Sequence, residues 1–148
     1  NNPTYVRIDK GAHQKIYETK DCDVGIKMLS NKSKVKIIST GYMTHKMIEL
    51  SQDLHVDVVD LYKLKPLNIE LLKKILEDSN FVLTVEENTC IGGLGSMICE
   101  ILVDNNIHTR LKRFSLEDKQ EFKFGSRDWL IENGGLKMQD IKKFIEDI

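Results

Sequence analysis

The sequence predicts an α/β domain in which helices cover both faces of a mostly parallel sheet. Strand-like apolar runs alternate along the chain with segments of helical apolar spacing, which is the pattern of successive βαβ units. Such units have right-handed crossovers, so their helices cover the two faces of one sheet. The chain has 148 residues, of which 41% are hydrophobic, and this is enough to build the core of a single domain.

Short segments of β-branched and large apolar residues predict the strands. Residues 35–40 are the clearest case, because they form a nearly continuous β-branched run. Residues 81–85 are apolar enough to be buried on both faces of a sheet. Residues 25–29 predict a short edge strand, and residues 55–61 and 109–114 predict two further strands.

Between these strands, apolar residues recur at the three- and four-residue spacing of amphipathic helices. The segments with this spacing are residues 44–53, 69–76, 94–103 and 138–148, with a shorter helical patch at residues 129–133. Asn68 directly precedes the second of these segments. Because asparagine is a preferred N-cap residue, we expect the Asn68 side chain to cap that helix.

The first 23 residues do not share this pattern. Residues 4–9 alternate between polar and apolar side chains and predict a strand, whereas residues 10–23 are polar and irregular, with Gly11 as a breaker. We therefore expect residues 1–23 to be the tail of a preceding domain followed by a linker. Residues 24–148 are expected to form the α/β domain itself.

The charge balance and the cysteines argue against several classes of function. The 22 basic and 23 acidic residues give a net charge of −1, which argues against a nucleic acid or a membrane surface as the partner. The sequence contains no run of about 18 apolar residues, which is the length needed to span a bilayer. Cys22, Cys90 and Cys99 are odd in number and show no CxxC spacing, so we expect reduced thiols in a cytoplasmic protein.

The four histidines do not predict a metal site. His13, His45, His55 and His108 show neither HxH nor HxxxH spacing, and no cysteine stands at ligand spacing from them. We therefore expect no metal ligands in this chain. His45 lies near the start of a predicted helix, at the rim of the sheet where binding sites form, and its alternative interpretation is a surface residue.

The sharpest local feature is a glycine-rich run that follows one predicted strand and opens a predicted helix. It contains Glu86-Glu87-Asn88-Thr89-Cys90-Ile91-Gly92-Gly93-Leu94-Gly95-Ser96. The stretch from Gly92 to Ser96 can let backbone amides hold an anion, or it can make a tight turn that brings the helix close to the sheet. Gly93 and Gly95 form a GxG, but a third glycine is missing, which disfavours a dinucleotide. The sequence leaves these interpretations open. The loop either binds an anion, or it is a structural turn, which can lie at a domain interface.

Glu86 and Glu87 stand where this strand is predicted to end. Ligands gather at the carboxyl ends of strands in open α/β sheets, and paired carboxylates can divide acid and base work. Successive residues leaving a strand point to opposite sides, however, so the two carboxylates are not expected to share a substrate. We expect one of them to accept hydrogen bonds from loop amides and the other to be solvated. We assign no catalytic residue.

Three aromatic residues near the C-terminal end allow two interpretations. Phe122, Phe124 and Trp129 lie in and beside an irregular segment, residues 119–126. Aromatic side chains are enriched in the cores of interfaces, so the three could form a patch that binds a partner. They could equally anchor the irregular segment onto the domain, because aromatic residues dominate both kinds of packing.

Several stretches resemble one protein family in the same order along the chain. Residues 35–41 contain VKIISTG, residues 58–61 contain VVDL, residues 64–68 contain LKPLN, residues 84–88 contain TVEEN, residues 91–96 contain IGGLGS, and residues 124–126 contain FGS. Together they are similar to the C-terminal domain of transketolase-like enzymes. That family includes transketolase, 1-deoxyxylulose-5-phosphate synthase and the β subunits of 2-oxoacid dehydrogenases. Residues 3–7 resemble the last strand of its preceding pyrimidine-binding domain.

The resemblance implies a fold and a place in a larger enzyme. The fold is a three-layer α/β/α domain with about five strands, mostly parallel, and one antiparallel edge strand. The complete enzymes use thiamine diphosphate and magnesium to transfer two-carbon or acyl units. The family's diphosphate-binding motif is absent from this sequence, so the resemblance implies that this chain holds no cofactor and no catalytic residue.

The resemblance also implies partners. They are the pyrimidine- and diphosphate-binding domains of the same enzyme, within a homodimer, and the role of this chain is structural. Two alternatives stay open. One is a regulatory α/β module that binds a small anion or a nucleotide at Gly92 to Ser96, and the other is the C-terminal domain of a 1-deoxyxylulose-5-phosphate synthase.

Overall fold

The computed structural model describes residues 3–6, 8–9, 13–18 and 23–148. The strands are β1 Lys27–Met28, β2 Val35–Ser39, β3 Asp57–Asp60, β4 Phe81–Thr89 and β5 Arg110–Leu116. The helices are α1 Tyr42–Ser51, α2 Ile69–Glu77, α3 Leu94–Asp104, α4 Arg127–Asn133 and α5 Met138–Glu146. Gly11 and Cys22, which entered the predictions above, lie outside the described residues.

The five strands form one sheet in the order β1-β3-β2-β4-β5. The strands from β2 to β5 are parallel to their neighbours, and Ser39 of β2 stands opposite both Asp60 of β3 and Val85 of β4. The short β1 runs antiparallel to β3, with Lys27 opposite Asp60. The predicted sheet, mostly parallel with one antiparallel edge strand, is confirmed.

The central strand β2 sends adjacent side chains into two separate cores. Ile38 packs in the core beneath α2 and α3, which contribute Leu72 and Ile98. Ile37 points to the other face, where the core is shared with α1, α4 and α5 through Met47, Ile131 and Ile141. Because successive residues of a strand alternate between its faces, one apolar run supplies both cores. The domain therefore has the expected three layers.

The topology opens a crevice between β2 and β4. These strands are neighbours in the sheet, but β2 leads into α1 on one face and β4 leads into α3 on the other. Connections that leave in opposite directions from adjacent parallel strands create a cleft at their carboxyl ends, where α/β proteins bind ligands. This carboxyl edge is where the candidate site is built.

Two expectations about strands are corrected. No strand forms in residues 4–6 and 8–9, where Tyr5, Val6 and Ile8 are at least 69% exposed. A strand needs a neighbour for its backbone groups, and these residues pair with none of the five strands. The second correction concerns β4, which was expected to end at Val85. It continues to Thr89, because β5 pairs with it as far as Leu116.

The helix ends follow local capping. Asn68 accepts a hydrogen bond from the Leu71 amide at 3.1 Å and so caps α2, as predicted. The helix α4 begins at Arg127 rather than at residue 129, since Ser126 Oγ accepts a hydrogen bond from the Trp129 amide at 3.2 Å. Among the helices of the described residues, none combines the length and the apolar character that crossing a membrane requires.

Candidate functional site

A cavity of about 560 Å³ opens at the carboxyl ends of β2 and β4. Thr40 and Tyr42 border it on the β2 side. Of the six residues that the sequence singles out, the cavity is lined by Glu86, Glu87, Gly92, Gly93 and Ser96, and not by Gly95. The structure therefore brings most of the predicted site residues to the crevice that the topology creates.

The Glu86 carboxylate caps α3 from within the neighbouring strand. Glu86 is only 4% exposed, and its two carboxylate oxygens accept hydrogen bonds from the amides of Leu94 at 2.7 Å and Gly95 at 2.8 Å. A helix leaves the amides of its first turn without partners inside the helix, and negative charge is favourable there. Glu86 thus makes the amide hydrogen bonds that we expected of one of the two glutamates.

Two glycines allow α3 to approach the sheet this closely. A Cβ atom on Gly93 would overlap the Glu86 carboxylate. A Cβ atom on Gly95 would lie 2.7 Å from the Arg113 side chain and 2.8 Å from Thr84 Oγ1. Both distances are shorter than van der Waals contact, so a side chain at either position requires the helix or its neighbours to move. These contacts favour the tight-turn interpretation of the glycine run.

The loop before α3 is held by its own side chains. Ser96 Oγ accepts a hydrogen bond from the Gly92 amide at 3.0 Å and donates one to the Cys90 carbonyl at 2.9 Å. Arg113 of β5 donates to the same carbonyl at 3.0 Å. The backbone of Gly92 has a φ of 74°, a conformation that glycine adopts without strain. Ser96 therefore stabilises the loop from inside.

These contacts leave the anion-binding hypothesis with few donors. The amides of Leu94 and Gly95, which would hold an anion at the start of α3, are already bonded to Glu86. A second anion at this helix start would also lie beside a buried carboxylate, which repels it. The geometry at Gly92 to Ser96 therefore disfavours the regulatory alternative.

The Glu87 carboxylate forms a bidentate ion pair with Arg127 of α4. Arg127 Nε lies 2.7 Å from Glu87 Oε1, and Arg127 NH2 lies 2.5 Å from Glu87 Oε2. The guanidinium stacks on the Tyr42 ring, 4.1 Å from its centroid, and NH1 donates to Asp9 at 2.6 Å. The expectation of a solvated second glutamate is wrong, because a half-buried arginine pairs with it. No pattern in the sequence links Glu87 to a residue 40 positions away.

The neighbouring Asp128 fixes α4 to α1. It accepts hydrogen bonds from the Tyr42 hydroxyl and, at 3.2 Å, from the Lys46 ammonium. The Tyr42 hydrogen bond, followed by the contacts with Lys46, holds the pKa of Asp128 below its ordinary value. The hydrogen bonds with Glu87 raise the pKa of Arg127, although desolvation acts to lower it. Both charges therefore persist at neutral pH.

A buried hydroxyl and carboxylate cluster lies at the end of β3. Asp60 accepts hydrogen bonds from Thr44 Oγ1 at 3.0 Å and from the Tyr17 hydroxyl at 2.5 Å. Thr44 in turn shares a hydrogen bond of 3.0 Å with Ser39. The cluster joins β2, α1, β3 and the segment of residues 13–18, so its polar groups hold these elements together.

Three carboxylates at this edge of the sheet have hydrogen-bond partners within the chain. The carboxylates of Asp9, Glu86 and Glu87 are all engaged by donors of the same chain. Within residues 3–6, 8–9, 13–18 and 23–148, no group of three or more His, Cys, Asp and Glu side chains could hold a metal ion. His45 lies at a different cavity, with its ring 5.3 Å from the ring of His13. The arrangement is suited to positioning loops and α4.

Arg127→Ala is expected to lower the free energy of unfolding by about 1–2 kcal/mol, because it removes a bidentate, half-buried ion pair. Arg127→Lys keeps the charge but not the planar fork, so it should recover less than half of that loss. Urea denaturation followed by circular dichroism measures both. The control is Lys123→Ala, which removes an exposed positive charge. Equal stability of the Arg127→Ala and Lys123→Ala variants would contradict the anchoring role.

Comparison with known proteins gives a consistent family. The family model described as "Transketolase, C-terminal domain" matches residues 25–141. The chain is 28% identical over 153 residues to a 1-deoxy-D-xylulose-5-phosphate synthase of Francisella tularensis subsp. novicida, covering 100% of this chain and 25% of the relative. It is 32% identical over 128 residues to the synthase of Cupriavidus pinatubonensis, covering 80% of this chain and 20% of that relative.

A solved structure is similar as well. It is described as a split gene transketolase, inactive β4 tetramer, and it matches with a TM-score of 0.70 and 28% sequence identity. The match covers 84% of this chain and 42% of the other chain. The chain spans about a quarter of the length of the curated relatives that it matches.

Proposed function

The chain belongs to the transketolase C-terminal domain family, and on this premise we propose that it is the structural and assembly domain of a transketolase-type transferase. In the complete enzyme, thiamine diphosphate and magnesium carry the transfer of two-carbon ketol units between sugar phosphates. The pyrimidine- and diphosphate-binding domains of the same cytoplasmic homodimer are its partners. In this proposal, residues 24–148 are the domain and residues 1–23 are the tail of the preceding domain and a linker.

One observation carries this proposal: the polar side chains at the carboxyl edge of the sheet hold helices in place. In an α/β enzyme the carboxyl edge presents its reactive side chains to a substrate. Here Glu86 holds the start of α3, Glu87 holds α4 through Arg127, and Asp60 holds α1. Side chains that are engaged in this way support the structure, and they cannot change protonation or partner without loosening it.

The described residues do not fit the cofactor. The backbone amides best placed to hold a diphosphate, those of Leu94 and Gly95, are bonded to Glu86. Among the described residues, no group of three or more His, Cys, Asp and Glu side chains could hold a metal ion. These facts support the proposal that diphosphate and metal are held by the partner domains.

A second candidate is the same domain in a 1-deoxy-D-xylulose-5-phosphate synthase. The relatives named above carry that description, and their matches cover 100% and 80% of this chain. The two candidates share the structural role of this domain and differ in the substrates of the complete enzyme. Activity of the complete enzyme with a ketose phosphate donor, compared with a 2-oxoacid donor, distinguishes them.

The first test is isothermal titration of the chain with thiamine diphosphate in the presence of magnesium. We expect no binding in the micromolar range, because the amides at the start of α3 are already bonded to Glu86 and the described residues contain no group of three or more metal-binding side chains. The positive control is a polypeptide that carries the two cofactor-binding domains. Micromolar binding by this chain alone would overturn the proposal.

The second test is a complementation assay that measures ketol transfer. Adding the chain to the polypeptide with the cofactor-binding domains is expected to restore or raise ketol transfer, and the chain alone is expected to give none. The Arg127→Ala variant provides a matched comparison, since it loosens α4 at the carboxyl edge. Turnover by the isolated chain, or no effect of adding it, would contradict the assembly role.

A further inference from the structure

We propose that Asp9 and residues 13–17 form a strap that closes over the domain as one unit and opens as one unit. The structure holds the strap in its closed state. Opening would release the chain that precedes the domain, and closing would hold that chain at the carboxyl edge of the sheet. This role rests on the proposed function, because it determines how firmly the preceding domain is attached.

One end of the strap is attached to α4. Arg127 NH1 donates a hydrogen bond to Asp9 at 2.6 Å, and the same guanidinium is held by Glu87 of β4. Because the bidentate pair with Glu87 already fixes the guanidinium, its remaining donor is oriented toward Asp9 in advance. Asp9 also lies 3.4 Å from His13 Nε2, which connects this first anchor to the remainder of the strap.

The middle of the strap packs against α1. The His13 ring lies 5.4 Å from the Tyr42 ring and 5.3 Å from the His45 ring. Ile16 stands between two cavities of about 460 Å³ and 410 Å³, and the walls of both include Ile48 of α1. An open strap would join these cavities into one groove and expose more of Ile48 to water, which favours the closed state.

The other end of the strap is attached where β3 ends. The Tyr17 hydroxyl donates a hydrogen bond to Asp60 at 2.5 Å, and Asp60 is only 7% exposed. The Tyr17 ring lies 6.4 Å from the ring of Tyr62, whose hydroxyl accepts a hydrogen bond from the Gly25 amide at 3.0 Å. A hydrogen bond to a buried carboxylate is stronger than an exposed ion pair, so Tyr17 makes the stronger of the two anchors.

The strap is suited to opening because little of it is buried. Residues 13–15 are exposed, and Ile16 and Tyr17 are half-buried. Segments with few buried contacts open at a lower free energy than the core of a domain. The two anchors lie on different elements, and His13 and Ile16 connect them through their contacts with α1. We therefore expect the loss of one anchor to weaken the other.

The first test measures the open state by proteolysis. A parent chain carries Lys10→Gln and Lys20→Gln, so that Lys15 is the one lysine left before residue 24. A lysine-specific protease at low concentration cuts the strap at a rate that follows the population of the open state. A peptide of residues 9–18 with the same change gives the rate of an unprotected site. The cut after Lys74 in α2 reports unfolding of the whole domain.

The parent chain is expected to be cut after Lys15 at least about tenfold more slowly than the peptide. Tyr17→Ala, made in the chain and in the peptide, should remove most of this protection, because the hydrogen bond and the ring contact are both lost. Asp9→Ala should raise the rate about threefold or more, although Asp9 lies six residues from Lys15. Tyr5→Ala, at a residue that is 89% exposed, is the control and should change nothing. The cut after Lys74 should stay slow in every chain.

The second test follows the chain ahead of the strap. Spin labels at Ile8→Cys and Glu100→Cys, in a chain whose own cysteines are replaced by serine, report a distance by pulsed electron paramagnetic resonance. Ile8 is 85% exposed beside Asp9, and Glu100 lines the carboxyl-edge cavity that Asp9 borders. A closed strap should give a narrow distribution of distances. Tyr17→Ala, nine residues from the first label, should broaden it, because the whole strap is released.

Four outcomes would overturn the inference. They are a parent chain that is cut after Lys15 as fast as the peptide, a Tyr17→Ala chain that is as well protected as the parent, an Asp9→Ala chain with an unchanged rate, and a distance distribution that Tyr17→Ala does not broaden. Both tests use the chain without cofactor or partner domains. The complementation assay above measures ketol transfer, so failure of the strap and failure of the proposed function are distinguishable.

Discussion

Replacing Gly93 with valine is expected to destabilise the domain by more than about 3 kcal/mol, because the new side chain would displace a buried carboxylate from its hydrogen bonds. A Cβ atom at this position already overlaps the Glu86 carboxylate, and Glu86 is only 4% exposed. The carboxylate would lose the amides of Leu94 and Gly95 without gaining water. Urea denaturation followed by circular dichroism measures the loss.

The control for this prediction is Gly92→Ala. Gly92 has a φ of 74°, and a Cβ atom there would meet nothing within 4 Å, so only backbone strain of about 1 kcal/mol is expected. A double-mutant cycle sharpens the comparison. In a Glu86→Ala background the space beside Gly93 is open, so Gly93→Ala should cost much less than it does in wild type. A Gly93→Val variant with wild-type stability would contradict the packing role and would return the glycine run to the anion-binding interpretation.

The fold was predictable because its signals are local. Residues 35–40 and 81–85 are apolar and β-branched, and burial on both faces of a sheet requires that composition. The cap of α2 was predictable for the same reason, since Asn68 and the Leu71 amide that it accepts from lie three residues apart. Such features depend on the chain within one turn or one strand and not on the remainder of the molecule.

The site was predictable only in part, because its contacts are long-range. The run Glu86-Glu87-Asn88 is polar and indicates a loop, yet β4 continues through it to pair with β5. The sequence predicted that one of the two glutamates accepts hydrogen bonds from loop amides, and the structure shows that this residue is Glu86, eight residues before Leu94. It did not identify Arg127 as the partner of Glu87, because that contact exists only after α4 packs against the sheet. Spacing along the chain carries no information about such a pair.

Asp57→Ala is expected to cost about 3–5 kcal/mol, because it removes the nearer carboxylate from the buried Lys36 ammonium and leaves it only the Asp78 carboxylate at 3.7 Å. Lys36 is fully buried, and its Nζ lies 3.4 Å from Asp57 Oδ2 at the amino end of the sheet. Asp57 also accepts hydrogen bonds from the Ser30 hydroxyl and the Ser33 amide. Lys36→Met is expected to be costly too, and the double variant should cost less than the sum of the two single changes, since the pair is removed together.

The same carboxylate gives the domain a dependence on pH with a definite sign. Burial acts to raise the pKa of Asp57, but the hydrogen bonds of Ser30, Ser33 and Lys36 outweigh it and hold that pKa below its ordinary value. A carboxyl group with a lowered pKa in the folded state contributes stability above its unfolded pKa of about 3.9, and that contribution is lost as the pH falls through the folded pKa. Urea denaturation between about pH 2 and pH 7 should show this loss below about pH 4 in wild type.

Asp57→Asn is expected to reduce the loss of stability below about pH 4, because an amide does not titrate. Asp118→Asn, at an exposed aspartate, should leave that loss as it is in wild type. Equal acid sensitivity of the Asp57→Asn chain and wild type would mean that other carboxylates control the loss. It would then follow that the charges of the buried pair of Lys36 and Asp57 do not stabilise the amino edge of the sheet.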